Sequence, residues 1–498
     1  MPQNLLLPLD GRPCNARFPV QLAALGGHSV LAPESKVLGN AREPARLTEL
    51  DAWLAAQLPE ASQLFLSFDT WLYGNLVASR RNPAPLDQLL QRLNQLRQWR
   101  ERFPDLRIHG FATLLRISNS NDATEERPYW AQHGQAIYRL SWLEHRLSEA
   151  VDETLQAEYQ RLQRQIPADV LNDYRHLRQR NLAVLQNLLA LQAEGVMDQL
   201  LIGCDDSGEY GWGVQERQLL ETEVAQLNLS DRCLIYPGAD ELASVLLARV
   251  LAPEGPTLNL AWSHPEAQDL CTLYEGRPLS QTLAIQARAV GVALRQNAAE
   301  EAVVLWLHNP PHGPQIDQFL DRQQRVPLNT DAVSKLTAAL RAGKPVALAD
   351  LCYANGGDAE LLQHLEDQQL LLKLRAYAAW NTNGNSLGML LAWLKFLGPL
   401  LSTDQPLPLS HQRFLLERLA DDGWYQGHLR QQLCGHYSEP VTLQSCLSAI
   451  HWFNQHFEGW RAQLPPALQG LQVKHLSFPW KRFFEVDLQL CTPRPSET

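Results

Sequence analysis

Short apolar runs bounded by turn-forming residues recur along the first half of the chain. Runs of this length and setting are typical of strands buried in a sheet. Seven of them are predicted as strands, at residues 4–9, 28–32, 63–68, 107–115, 199–204, 232–236 and 257–262. Between them, leucines recur at helical spacing, as at Leu86, Leu89, Leu90 and Leu93. Strands that alternate with amphipathic helices predict parallel βα units.

The alternation continues more sparsely in the second half of the chain. The predicted strands there lie at residues 303–308, 345–350 and 371–378, with a helix at 330–342. Two longer helices are predicted earlier, at 136–164 and 168–195, and Pro167 separates them. After Pro399 the pattern becomes mainly helical, and residues 473–490 are predicted to form a terminal β-pair.

Polar side chains follow the predicted strands of the first half. They include Asp10, Asp69, Arg116, Asp205, Asp240 and His264. In a (β/α) barrel such residues converge on one catalytic face. We therefore predict an α/β protein with a TIM-like barrel at 1–270, a smaller α/β domain at 271–400 and a mainly helical region at 401–498. A doubly wound sheet is the alternative, and it also gathers its site at the carboxyl ends of its strands.

Composition narrows the possible classes of partner. The chain has 498 residues with 43 Lys and Arg against 54 Asp and Glu, a net charge of −11, which argues against a nucleic-acid partner. No apolar run is long enough to span a membrane, and the first residues lack the basic start of a signal peptide, so we expect a cytoplasmic protein. The eight cysteines are scattered without zinc-site spacing, and we expect neither a metal nor a cofactor.

Familiar catalytic signatures are missing from the sequence. It contains no Walker loop, no GxGxxG after a strand, no GxSxG elbow and no HExxH motif. Their absence argues against a nucleotide enzyme, a dehydrogenase of the usual kind, a serine esterase and a zincin.

Two polar segments near the predicted barrel face are the first candidates for a site. The turn after the first strand carries Asp10 and Asn15, with Arg12 between them; a purely structural Arg–carboxylate turn is the alternative. The loop from Arg116 to Gly134 carries Arg127 and His133, and long loops over a barrel mouth are often functional. Arginine there suits the bidentate recognition of a carboxylate.

Further candidates follow later strands. Asp205 and Asp206 form a carboxylate pair that suits acid/base work or a divalent cation, although a helix cap is the alternative. Asp240 in the PGADE run is equally consistent with an N-cap. The segments 355–358, which begins with Asn355, and 380–385 carry several amides beside Trp380 and suit recognition of sugar hydroxyls, although two tight turns explain both segments as well.

Several of these motifs together resemble one large bacterial family long described only as a domain of unknown function. They are PLDxRPxN at 8–15, SxDxxxYG at 67–74, YWxxxG at 129–134, DDxxxYG at 205–211, PGADE at 237–241 and WNTxGN at 380–385. Within that group the sequence resembles the inverting exo-sialidases of glycoside hydrolase family 156.

The resemblance implies a barrel enzyme that removes terminal sialic acid from glycans with inversion. It implies His133 and Asp10 as the catalytic pair, with His133 taking a proton from water and Asp10 orienting the imidazole. Arg127 is the first choice for binding the sialic acid carboxylate, with Arg116, Arg178 and Arg180 as further candidates. Asn15, Asp69, Asp205, Asp206, Tyr210 and Asn355 are expected to contact the substrate.

Other functions stay open at this point. A glycosidase for another sugar would use the same face, and a metal-dependent hydrolase would use the carboxylates Asp69, Asp205, Asp206 and Asp240. A carbohydrate sensor without catalysis is a further alternative. The Trp- and His-rich C-terminal helices offer apolar surface for a homodimer.

Overall fold

The computed structural model describes residues 3–252, 254–296, 302–321, 324–402, 407–461 and 463–491. The chain forms two compact units. The first unit comprises Met1–Leu247 and Tyr274–Arg277, and the second comprises Ala248–Leu273 and Pro278–Thr498.

The first unit contains a sheet of six strands, and every adjacent pair is parallel. Its strands are β1 (Gln3–Leu7), β2 (Val30–Leu31), β3 (Ala61–Ser67), β4 (Arg107–Leu114), β5 (Gln199–Cys204) and β6 (Cys233–Pro237). Their hydrogen-bonded order is β2-β1-β3-β4-β5-β6. The order in which the strands are added therefore changes direction between β1 and β3. Because these two strands are parallel, the polar residues that follow them lie at the same edge of the sheet.

Ten helices connect these strands and follow β6. They are α1 (Pro13–Leu25), α2 (Leu47–Gln57), α3 (Leu76–Ser79), α4 (Leu86–Leu93), α5 (Gln95–Arg102), α6 (Trp130–Glu149), α7 (Glu153–Gln165), α8 (Ala168–Ala193), α9 (Trp212–Gln226) and α10 (Leu242–Leu251). The helix predicted at 136–164 is divided into α6 and α7. Asp152 causes the division, because its side chain accepts hydrogen bonds from the backbone of Thr154 and Leu155 and so starts a new helix.

Burial explains the apolar strand runs of the first unit. Leu5, Leu66 and Ile202 are fully buried in one core cluster that lies against the sheet. Strands of a parallel sheet covered on both faces are expected to be apolar at nearly every position. The polar residues directly after these strands therefore lie at the edge of the core. Because they are deeply buried there, they need hydrogen-bond or ion-pair partners.

The second unit contains a five-stranded parallel sheet and two smaller β-pairs. Its strands are β7 (Thr257–Trp262), β8 (Ala293–Arg295), β9 (Val303–His308), β10 (Ile316–Asp317), β11 (Val346–Asp350), β12 (Tyr353–Ala354), β13 (Ala376–Ala378), β14 (Gln472–Ser477) and β15 (Asp487–Cys491). The main sheet has the order β13-β11-β9-β7-β8, and β10 pairs with β12 in parallel. Numbered from its own first strand, this sheet repeats the 2-1-3-4-5 order of the first unit.

Helices connect the strands of this unit and lead to the terminal β-pair. They are α11 (Leu279–Val290), α12 (Thr330–Arg341), α13 (Ala359–Asp367), α14 (Asn383–Leu397), α15 (Leu409–Arg418), α16 (Arg430–His436) and α17 (Leu443–Arg461). Strands β14 and β15 pair in the antiparallel sense. The C-terminal helices join the same unit as the sheet, since Gly357 donates a backbone hydrogen bond to Asp422 and Leu490 donates one to Glu417.

The mixed α/β class, the parallel sheets and the terminal β-pair are confirmed. The compact units divide near residue 247, and β7 pairs with β8 and β9 of the second sheet. The domain boundaries at 270 and 400 stay predictions. Within the described residues, no helix combines the length and the apolar character needed to cross a membrane.

Candidate functional site

The turn after β1 and the loop after β6 meet at the carboxyl edge of the first sheet. Arg12, in the turn, donates from Nη1 to Oδ2 of Asp240 at 3.2 Å and from Nη2 to Oδ1 of the same residue. Asn15 donates to Asp240 as well, at 2.9 Å. In a flat sheet, β1 and β6 would be about 19 Å apart, four spacings of about 4.8 Å. The two segments therefore lean toward each other across the ends of the strands between them.

Arg12 is shared by two buried carboxylates. Its Nε lies 3.0 Å from Oδ2 of Asp10, its Nη2 lies 2.8 Å from the same oxygen, and its backbone N–H donates to Oδ1 at 2.8 Å. Burial raises the pKa of Asp240 to about 6; the Arg12 charge opposes this rise, and the Asp10 charge adds to it. The sequence motif at 8–15 thus forms an Asp–Arg–Asp bridge, and Asn15 completes it.

Asp69 follows β3 and binds the end of β4. Its Oδ2 accepts from the backbone N–H of Thr113 at 2.9 Å, and its Oδ1 accepts from the Thr113 hydroxyl at 2.8 Å. Burial raises the pKa of Asp69 to about 7, the two Thr113 hydrogen bonds oppose the rise, and the charge of Asp205 adds to it. A carboxyl group with this pKa exchanges its proton near neutral pH, as a general acid must.

Asp205, at the end of β5, is held by a buried arginine. Arg80 Nη2 donates to Asp205 Oδ2 at 2.6 Å. The Arg80 side chain is only 3% exposed, and its Nε has no hydrogen-bond acceptor among the described residues. Buried donors are nearly always paired, so this free N–H marks a place where an additional acceptor would be stabilised.

Arg116 and two glutamates complete a charged cluster around Arg80. Glu125 Oε2 lies 2.7 Å from Arg80 Nη1 and 3.1 Å from Arg116 Nη2, so this carboxylate bridges the two guanidinium groups. Glu126 contacts Arg116 Nε at 3.2 Å, and Arg116 Nη1 donates to Asp206 at 2.9 Å. Burial raises the pKa of Glu126, while both arginines oppose that rise.

Arg116, Asp205 and Asp206 line a small cavity with Tyr210 and Tyr138. Its volume is about 30 Å³, enough for one or two water molecules. Pockets for small organic ligands usually enclose about 300–1,000 Å³. The cavity as it stands is therefore too small for a sugar.

The comparisons with known proteins bear on the whole chain. Residues 4–489 match the model of the family described as "Protein of unknown function (DUF4127)". The chain belongs to this family. No curated protein and no solved structure shows significant similarity to it. The description of this family names no activity.

The remaining predicted residues lie at different places. His133 is in the first turn of α6 and is partly exposed; its side chain has no hydrogen bond to Asp10 among the described residues. Arg127 lies 3.6 Å from Asp173, at the carboxylate that also accepts from Tyr129. Asn355 belongs to the second unit and donates to Asp317 at 2.7 Å. The catalytic pairing of His133 with Asp10 stays a prediction.

Two further arginine candidates have backbone partners. Arg178 forms an ion pair with Glu216 and donates to the carbonyl oxygens of Leu115 and Arg116, so it fixes the chain at the end of β4. Arg180 donates to the carbonyl oxygen of Ala84 at 3.0 Å. Of the four arginines proposed from the sequence, Arg116 is the one that lines the cavity.

Arg80, Thr113 and Glu125 were missed by the sequence reasoning. Arg80 directly follows the four-residue helix α3, where no strand end or motif draws attention to it. Thr113 is inside the apolar run of β4, where a threonine is a common strand residue. Glu125 does fall within the loop that was singled out, and its position beside two basic partners is set only by the fold.

Proposed function

We propose that the first unit of this protein is a glycoside hydrolase, and specifically an exo-α-sialidase that inverts the anomeric configuration. The observation that carries the proposal is the difference between Asp69 and Asp205, two carboxyl groups that follow strands of the sheet and whose charges interact. The pKa of Asp69 is raised to about 7, whereas Asp205 is ion-paired with Arg80. Carboxyl groups whose environments differ in this way are typical of acid and base roles in glycosidases.

Asp69 is the group suited to protonate the departing glycosidic oxygen. Near neutral pH a substantial fraction of it carries a proton, because burial disfavours its charged form. Asp205, held by Arg80, is suited to stabilise the positive charge that develops on the sugar ring. The attacking water requires a separate base on the opposite face, and His133 is the proposed residue.

Glu125 indicates how the carboxylate of a sialoside is recognised. It places one carboxylate between Arg80 and Arg116, which is the arrangement a substrate carboxylate needs. We infer that the substrate carboxylate replaces Glu125 there and also reaches the free Nε–H of Arg80. Arg116, which Glu125 now binds, also lines the small cavity at Asp205 and Asp206, so the exchange takes place beside these two carboxylates.

We also propose that the sheet of the first unit is part of a TIM-like barrel. The ion pair between Arg12 and Asp240 brings the ends of β1 and β6 together, which favours a curved sheet over a flat one. Catalysis at the carboxyl edge does not depend on closure, because barrels and doubly wound sheets both gather their polar residues there.

Proton NMR during hydrolysis of sialyllactose tests the proposal. The substrate is α-linked, so an inverting enzyme releases β-sialic acid first and the α anomer accumulates only by mutarotation. Initial release of the α anomer would show retention, and no release of sialic acid by folded protein would refute the sialidase. The matched control is Asp69→Asn, which removes the acid but keeps the size of the side chain.

A glycosidase for another sugar is the nearest alternative, and cleavage of neutral aryl glycosides without cleavage of sialosides would identify it. A metal-dependent hydrolase built on Asp69, Asp205, Asp206 and Asp240 is less well supported. Asp205, Asp206 and Asp240 are held by arginines, and Asp69 is held by Thr113. Full activity in the presence of EDTA would contradict the metal-dependent hydrolase.

A further inference from the structure

A histidine, a cysteine and an aspartate meet at the carboxyl edge of the sheet in the second unit. His308 is the last residue of β9, Cys352 lies two residues after β11, and Asp358 caps the N-terminus of α13. One ligand atom from each lies within 4.8 Å of those of the other two, and all three residues are buried. None of them belongs to the proposed sialidase site.

The imidazole of His308 is held between two neighbours. Its Nδ1 lies 3.0 Å from Oγ of Ser263, and its Nε2 lies 3.0 Å from Oδ2 of Asp358. Ser263 Oγ also accepts a hydrogen bond from the indole of Trp306 at 3.2 Å. When Nδ1–H donates to Ser263, the lone pair of Nε2 points toward Asp358. Metal-binding histidines are usually oriented in this way by a partner at the other ring nitrogen.

Asp358 has one oxygen fixed by the backbone and the other directed at His308. Its Oδ1 accepts from the N–H of Glu360 at 3.0 Å and from that of Leu361 at 3.4 Å. The remaining oxygen, Oδ2, lies near His308. The cap therefore orients this carboxylate without the help of a ligand.

Asp350 supplies a second observation that points to a ligand. It is the last residue of β11 and is only 1% exposed, and its Oδ1 has no hydrogen-bond partner among the described residues. Its Oδ2 accepts from the backbone of Asp358 and from the hydroxyl of Tyr377, at 2.7 and 3.1 Å. Buried acceptors are nearly always paired, so the bare Oδ1 marks a place where a bound cation would be stabilised.

We propose that the second unit binds a zinc-class divalent ion through His308 Nε2, Cys352 Sγ and Asp358 Oδ2. Imidazole, thiolate and carboxylate are the donors that zinc takes, at about 2.0–2.3 Å. Two such N and O ligands on a tetrahedral ion lie about 3.3 Å apart, close to the 3.0 Å between His308 Nε2 and Asp358 Oδ2. The ion joins β9 to the segment between β11 and α13.

His308 and Cys352 are 44 residues apart along the chain, and Cys352 and Asp358 are 6 apart, so the ligands do not form a short sequence motif. The parallel pairing of β11 with β9 sets Asp350 beside His308 and thereby brings the segment that follows to the imidazole. This explains why the cysteine spacing of the sequence predicted no metal.

Cobalt substitution of the full chain tests the site. We expect protein produced in cobalt-supplemented, zinc-depleted medium to carry about one cobalt per chain and to show a near-ultraviolet thiolate-to-cobalt absorption band. Cys352→Ser should abolish the band. Asp358→Asn should weaken cobalt binding at least ~10-fold while keeping the helix cap, because asparagine caps helices as well as aspartate does.

Cys233→Ser is the matched control, since it removes another buried cysteine that lies outside this cluster. It should leave the band unchanged. A wild-type protein without the band would overturn the proposal whether or not the variants fold. Persistence of the band in Cys352→Ser would overturn it as well, and would leave a buried His308–Asp358 ion pair as the role of these residues.

Discussion

Arg12 and Asp240 form a buried ion pair that joins the turn after β1 to the loop after β6. Arg12 binds Asp10 at the same time, so a single guanidinium compensates two carboxylates. The bridge fixes the edge of the sheet at which Asp69 and Asp205 also lie. The conspicuous PLDxRPxN motif therefore acts first as a structural connection beneath the proposed site.

Arg12→Met is expected to destabilise the protein by about 3–5 kcal/mol, because it removes the buried cation that Asp10 and Asp240 share. Urea unfolding at pH 7 measures the loss. Arg46→Met is the control, since the Arg46–Glu49 pair is exposed and should contribute no more than about 1 kcal/mol. Equal effects of the two substitutions would show that the buried bridge has no special role in stability.

The apolar pattern was sufficient to predict where the strands lie. The strands that form around Leu5, Leu66 and Ile202 agree with the predicted runs because burial on both faces demands apolar residues almost throughout. The same pattern does not specify the partner of a strand. The run at 257–262 resembles the earlier ones, yet it pairs with strands of the second sheet and not with those of the first.

The partners of the site residues were less accessible to sequence reasoning. Asp69 and Asp205 were found because each directly follows a strand, whereas Arg80 follows a four-residue helix and is brought in by the fold. A sequence also shows where a carboxylate lies along the chain, but it does not show how deeply that carboxylate is buried. Burial determines the pKa of Asp69, and depth is a property of the packed structure.

The raised pKa of Asp69 predicts a characteristic dependence of stability on pH. The folded state binds this proton up to about pH 7, whereas the unfolded chain releases it near pH 4. Its contribution is therefore full below pH 4 and is lost as pH rises to 7, by roughly 4 kcal/mol in all. Asp69→Asn stays neutral, so its stability relative to wild type should increase with pH across this window.

Urea unfolding of both proteins between pH 4 and pH 8 measures this difference. Thr113→Val provides a matched test, because it removes a hydrogen bond that favours ionised Asp69 and should move the transition to higher pH. A difference between Asp69→Asn and wild type that does not change with pH would contradict the assignment.

If a substrate carboxylate replaces Glu125, then a substitution that weakens Glu125 should improve substrate binding. Glu125→Gln weakens the internal partner of Arg80 and Arg116, so KM for sialyllactose should fall several-fold with little change in kcat. Initial rates over a range of sialyllactose concentrations measure it. Glu158→Gln, which breaks the ion pair with Arg139 on neighbouring helices, should leave KM unchanged. An unchanged or higher KM in Glu125→Gln would exclude the exchange.

His133 and Asp10 make separable predictions for the chemical step. His133→Gln removes the proposed base and should lower kcat by about 10²- to 10⁴-fold. Little loss of thermal stability is expected, because this side chain is partly exposed.

Asp10→Asn is expected to change the pH profile of kcat, because the proposed role of Asp10 is to stabilise the imidazolium that His133 forms when it takes a proton from water. It also weakens the bridge to Arg12, so the melting temperature should fall whatever its role in catalysis. The pH profile separates the two effects. If Asp10→Asn melts earlier but keeps the wild-type profile of kcat, then Asp10 acts on Arg12 alone, and His133 has another partner or none.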